Sequence, residues 1–74
     1  MSPALPVVSG RQVCAALARG GFEQVSTRGS HVKLRHPDGR MVIVPLHDTL
    51  ARGTLASVLR QANLSSTDLV SLLR

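Results

Sequence analysis

The segment His36-Pro37-Asp38-Gly39-Arg40 divides two short apolar runs, Val32-Lys33-Leu34 and Val42-Ile43-Val44, and constrains the chain more than any other. Proline presets φ for the first central position of a turn, aspartate favours the second, and glycine takes the positive φ that follows. Two strands joined this way form an antiparallel hairpin, and the turn chemistry sets its register. A type I turn on Pro37-Asp38 with a glycine bulge at Gly39 pairs His36 with Arg40, then Leu34 with Val42 and Val32 with Val44. The four aliphatic side chains then share one face, suited to burial under helices. His31, Lys33 and Arg35 face solvent on the other side, beside Met41, Ile43 and Pro45. A two-residue Asp-Gly turn would slip the register by one and set Val42 and Val44 beside Lys33 and Arg35, which burial disfavours.

The flanking segments read as helices and one more strand. Ser9 and Gln12 make a capping box, and Val13, Cys14, Ala16 and Leu17 form an apolar stripe that Gly20-Gly21 ends. Phe22 to Arg28 predicts the first strand; Phe22 and Val25 have opposite parity, which suggests a bulge. Gly29 turns the chain into the second strand, Ser30 to His36, and the third runs from Met41 to Leu46. After a loop at His47–Arg52, Thr54 starts a helix carrying Leu55, Val58, Leu59 and Ala62. Ser65-Ser66-Thr67-Asp68 caps a last short helix carrying Leu69, Val70, Leu72 and Leu73. The order α-β-β-β-α with a short C-terminal helix predicts an α+β fold, its three-stranded antiparallel sheet covered on one face. Residues 1–8 read as an extended lead-in without the positive start of a signal peptide, and residues 9–74 as a single domain.

Nine Lys and Arg stand against four Asp and Glu, a net charge of +5, so polyanions and nucleic acid first are the natural partners. Phe22 is the only aromatic residue, which argues against a platform for stacking successive bases. Cys14 is the only cysteine and reads as a buried, inert thiol in a reducing cytoplasm. No run approaches the roughly 20 apolar residues that span a bilayer, so no membrane partner is expected. Three histidines, His31, His36 and His47, lie in or beside the hairpin. Metal ligands must converge, yet His31 and His36 have opposite parity and only Asp38 and Asp48 are near. Neither a metal nor a small-molecule cofactor is expected.

His36 reads as an ordinary turn residue, but His31 stands on the solvent face with Lys33 and Arg35. Imidazole as a side-chain type suits proton transfer near neutral pH, and neighbouring cations suit a phosphate. That is the minimum equipment for metal-free RNA cleavage, in which a ribose 2′-OH attacks its own phosphate. On residues alone, a basic module that binds nucleic acid without cutting it is the favoured reading.

Ser9-Gly10-Arg11-Gln12-Val13, Gly20-Gly21-Phe22, Gly29-Ser30-His31, His36-Pro37-Asp38-Gly39, Val44-Pro45-Leu46-His47, Gly53-Thr54-Leu55 and Leu59-Arg60-Gln61-Ala62-Asn63-Leu64 together resemble the HicA family. These are small RNA-cleaving toxins of bacterial type II toxin–antitoxin pairs. The resemblance covers nearly the whole chain from Ser9 to Leu73. It implies a double-stranded-RNA-binding-domain-like fold, ribosome-independent mRNA cleavage, and a HicB-type antitoxin that masks the toxin. The family's catalytic histidine falls on His31. Many relatives carry a second histidine or other polar residue directly after it, where this chain has the inward-pointing Val32.

Two further expectations follow from the register. His47 falls beside Gly29, diagonal to His31 and within about 7–8 Å, which makes it the candidate for a second acid/base or phosphate-binding group. Arg28, Ser30, Lys33, Arg35 and Arg40 are the expected RNA contacts. Met41 and Ile43, apolar on a solvent face, are expected to meet the antitoxin, whose acidic residues would pair with Lys33 and Arg35. The alternative is a non-catalytic double-stranded RNA-binding module using Arg11, Arg19, Arg40 and Arg52. A DNA-binding helix-turn-helix in the last two helices would need basic or amide side chains at the start of its recognition helix, where Ser65-Ser66-Thr67-Asp68 offers no positive charge.

Overall fold

In the computed structural model, which describes residues 5–74, the hairpin sits between helices at either end of the chain. The order is α1 (Gly10–Arg19), β1 (Glu23–Arg28), β2 (His31–Arg35), β3 (Met41–Pro45), α2 (Arg52–Ala62) and α3 (Ser66–Leu72). The strands form one antiparallel sheet in the order β1-β2-β3, which makes the fold α+β as expected. Val32 pairs with Val44 and Leu34 with Val42, the register that the Pro-Asp-Gly turn dictates. The His36 N–H donates to the Arg40 carbonyl and the Gly39 N–H to the His36 carbonyl, both at 2.9 Å, with Gly39 at φ 101°. Val32, Leu34, Val42 and Val44 are at most 3% exposed, whereas Met41 and Ile43 remain 40% and 47% exposed.

The buried hairpin face joins Val13, Ala16 and Leu17 of α1, Leu55, Val58, Leu59 and Ala62 of α2, and Leu69 of α3 in one core. Each Val or Leu side chain among them contributes about 1.5–3 kcal/mol when fully buried. Residues 1–4 of the expected lead-in lie outside the described residues. Its end is part of the core: Val8 is buried and its carbonyl accepts the Leu50 N–H at 2.8 Å.

Capping chemistry behaves as the residues predict at both capping boxes, Ser9 with Gln12 and Ser65 with Asp68. α2 differs. It begins at Arg52 rather than Thr54, and its N-cap, Ala51, makes no side-chain cap. It ends on Asn63 in the left-handed conformation, φ 54°, whose N–H returns to the last turn. β1 carries the bulge between Gln24 and Ser26, leaving Val25 unpaired and 49% exposed. All of β1 is exposed. Gln24 and Thr27 lie opposite buried Leu34 and Val32, yet they are polar and bond each other at 2.9 Å.

Two residues are placed otherwise than expected. Pro45 is buried rather than solvent-facing. The reason is the start of α1: the Gly10 N–H donates to the His47 carbonyl at 2.9 Å, which lays the helix on the end of β3. A β-carbon on Gly10 would lie 2.1 Å from the Pro45 carbonyl oxygen.

Arg40, expected as an RNA contact, is committed inside the fold instead. Its parity follows Val42 and Val44 onto the helix side. Its Nε donates to both Asp38 carboxylate oxygens, at 2.8 and 3.0 Å, and its Nη1 donates to the Ala62 carbonyl at the end of α2. The guanidinium carbon lies 5.0 Å from the Phe22 ring centroid, and His36 meets the same ring edge-on at 5.1 Å. The hairpin turn is thereby tied to α2 and to the start of β1.

Two expectations test these joints. Alanine is a better helix former than glycine by about 0.5–1 kcal/mol, so propensity alone has Gly10→Ala stabilising. The close approach reverses the sign: a loss of about 1–3 kcal/mol is expected, since backbone bounds the space. The urea midpoint measures this, and a midpoint above wild type would refute the contact's importance. The second concerns acid. Hydrogen bonds from the Arg40 side chain and N–H hold the Asp38 carboxyl below its ordinary value, with the charges of Arg40 and His36 assisting. A lowered folded-state pKa contributes stability above the ordinary aspartate value of about 3.9, and that stability is lost as pH falls through the folded value. Asp38→Asn is therefore expected to be less stable at pH 7 and to lose less of its remaining stability in acid. Parallel acid-unfolding curves would remove Asp38 from this role.

Candidate active site

The outer face of the sheet is free of helices and collects the side chains of alternate strand positions. Arg28 pairs with His31, Ser26 with Lys33 and Glu23 with Arg35 across β1 and β2. His31 pairs with Pro45, Lys33 with Ile43 and Arg35 with Met41 across β2 and β3. His31 is exposed at the first position of β2, directly after the Gly29-Ser30 turn. It stands where two clefts meet. One, of about 310 Å³, is lined by Ser26, Arg28, His31, Lys33 and Ile43. The other, of about 480 Å³, lies between β3 and α2 and also contains His31 and Ile43.

His47 lines this second cleft. His31 and His47 thus line one cleft, with His47 beyond the end of β3, where the pairing with β2 stops at His31 and Pro45. Because the His47 carbonyl accepts the Gly10 N–H, the backbone at His47 is held by α1. Lys33 is half-buried and Arg28 exposed, so two cations border His31 from neighbouring positions. Among the described residues neither cleft is lined by Asp or Glu. The Ser30 carbonyl accepts the Leu46 N–H at 2.6 Å, which leaves its exposed side chain at the tip of the β1–β2 turn.

Arg35 is on the same face but at its far end, in a separate hollow with Glu23, Val25, His36 and Pro37. The strand pairing sets it opposite an acidic residue, Glu23, which the charge pattern of the hairpin alone does not reveal. Arg40 is not brought to this face.

Sequence reasoning missed Gly53, Thr54, Ser57 and Gln61, which form the α2 wall of the second cleft. The signal was available: Thr54, Ser57 and Gln61 follow helical spacing and make a polar stripe beside the apolar one. Gln61 is anchored. Its Oε1 accepts the Ile43 N–H at 3.0 Å, and its Nε2 donates to Ser57 Oγ at 3.3 Å.

Cys14 lies outside both clefts, and burial pushes its thiol up against a smaller opposing influence of Arg11. Among the described residues, no three His, Cys, Asp or Glu side chains are grouped to hold a metal ion. No helix among them is long and apolar enough to cross a membrane.

A site with an exposed imidazole, flanking cations and a second histidine suits chemistry on a phosphodiester. No curated protein matches the chain. A family model described as HicA toxin of bacterial toxin-antitoxin matches residues 10–64. That span holds α1, the whole sheet and α2, and with them every residue that lines the two clefts. The chain belongs to the HicA toxin family, and so is the toxin of a bacterial toxin–antitoxin pair with an antitoxin as its partner.

Proposed function

We propose that the protein is a ribosome-independent, metal-independent endoribonuclease that cuts mRNA in the cytoplasm, with His31 as its catalytic residue. The observation that carries this reading is the position of His31 at the junction of the two clefts, between the cations Arg28 and Lys33 and the second histidine, His47. The ribose 2′-OH attacks the adjacent phosphorus as a base takes its proton. The bond from phosphorus to the 5′ oxygen breaks, and an acid protonates that oxygen as it leaves. The products are a 2′,3′-cyclic phosphate and a 5′-hydroxyl. His31 and His47 supply the two proton-transfer roles, while Arg28 and Lys33 offset the charge that gathers on the phosphorane. Ser30 and Arg35 extend the RNA path toward either end of β2. The non-catalytic module loses support, since Arg40 is committed to Asp38 and Ala62 and Arg19 donates to the Leu72 carbonyl at 2.8 Å.

A HicB-type antitoxin covers this same face, with apolar contacts on Met41 and Ile43 and acidic residues on Lys33 and Arg35. Strand addition along β3 is poorly supported, because Gln61 occupies the Ile43 N–H and Pro45 has none. The antitoxin therefore works face-on and blocks His31 by occupancy.

His31→Ala is expected to lower cleavage of unmodified mRNA by about 10²–10⁴-fold and to relieve growth arrest. Its unfolding free energy should stay within about 0.5 kcal/mol of wild type, since the residue is exposed. Undiminished cleavage by the folded variant would take His31 out of the mechanism. Met41→Glu places a like charge before an acidic partner. It is expected to weaken antitoxin binding at least about tenfold while cleavage persists, and titration calorimetry with the cognate antitoxin measures it. Unchanged affinity would move the antitoxin to another face.

A further inference from the structure

We propose that the groove between β3 and α2 is a base-binding subsite, which takes the base of one of the two nucleotides joined by the bond that is cut. The proposal rests on the ribonuclease reading above and adds what that reading leaves open, namely where the substrate strand lies on either side of His31. The two clefts that meet there differ in kind. The one bordered by β1 carries Arg28 and Lys33. The β3–α2 groove has no Lys, Arg, Asp or Glu among its lining residues. Its ionisable lining residues are His31 and His47, which the reaction uses, so toward α2 a phosphate meets no permanent cation, whereas an uncharged ring needs none.

The lining matches a flat heterocycle in both respects that matter. Half-exposed Ile43 presents apolar surface to a ring face, and the buried Pro45 and Val58 line the same groove. Thr54, Ser57 and Gln61 border that surface with groups able to bond a ring edge. The orientation of Gln61 is set from within the protein, because its Oε1 must accept from the Ile43 N–H. Its Nε2 bonds Ser57 Oγ with one hydrogen and keeps the other. Ser57, accepting there, keeps its hydroxyl hydrogen as a donor. A volume of about 480 Å³ lies in the range of sites for single small ligands.

The test uses the full chain and short RNAs in which every ribose but one is 2′-O-methylated, so that a single bond is cleavable. The base on each side of that bond is present or removed. For wild type, removal on one side is expected to slow cleavage at least about tenfold, as loss of a ring's apolar contact and edge hydrogen bonds would. Ser57→Leu keeps a good helix former and fills the groove. It is expected to slow the base-bearing RNA at least about tenfold and to leave the RNA lacking that base within about twofold of wild type. Ser57→Ala, which removes only the donor, gives a smaller change in the same direction. The proposal is overturned if base removal costs nothing on either side, or if Ser57→Leu slows both RNAs equally. It is equally overturned if Ser57→Leu affects antitoxin binding alone. Failure of wild type to cut long unmodified mRNA is the separate result that defeats the ribonuclease reading, and the subsite falls with it.

Discussion

One backbone hydrogen bond, from the Gly10 N–H to the His47 carbonyl, joins the start of α1 to the end of β3. It works only because Gly10 has no side chain, since the Pro45 carbonyl occupies the space that a β-carbon would need. From this joint the apolar stripe of α1 reaches the hairpin, and Pro45 passes from an outer-face residue to the floor of a groove. His47 is held in the same stroke. A helix that contributes no side chain to the clefts thus sets one wall of them.

The outer face then divides its labour by chemistry. Charge lies toward β1, in Arg28 and Lys33, and neutral polar groups lie toward α2, in Thr54, Ser57 and Gln61. His31 stands on the boundary because the first residue of β2 is opposite both Arg28 and Pro45. In a domain with a single aromatic residue, Phe22 is spent on the other side of the sheet, under Arg40 and against His36. The site is therefore built without aromatic stacking and relies on aliphatic surface, hydrogen bonds and cations.

Much of this was legible in the residues. Pro37-Asp38-Gly39 carries the register, and with it the inward set Val32, Leu34, Val42 and Val44 and the outward position of His31. Opposite parity at Phe22 and Val25 marks the bulge, and the Ser-x-x-Gln box marks the start of α1. Local pattern fails where the cause is tertiary. Pro45 is buried by the start of α1, which lies far from it in the chain. Arg40 counts as free charge until the Ala62 carbonyl and the Phe22 ring are found beside it. α2 begins before its expected start because Arg52 and Gly53 continue a helix that no capping side chain announces. Gln61 looks like any exposed helix residue until β3 offers it an N–H.

The two rims of the sheet have a bearing on life without a partner. Along β3 the rim is closed by Gln61 and by the proline that ends the strand. Along β1 it is interrupted at Val25 and backed by polar Gln24 and Thr27. Neighbouring copies therefore find no long, flat, apolar border on which to stack into fibrils. If the antitoxin masks the outer face as proposed, its removal leaves that face bare. A rim that offers no such border then keeps the face open, where a stickier one would bury it against neighbouring copies.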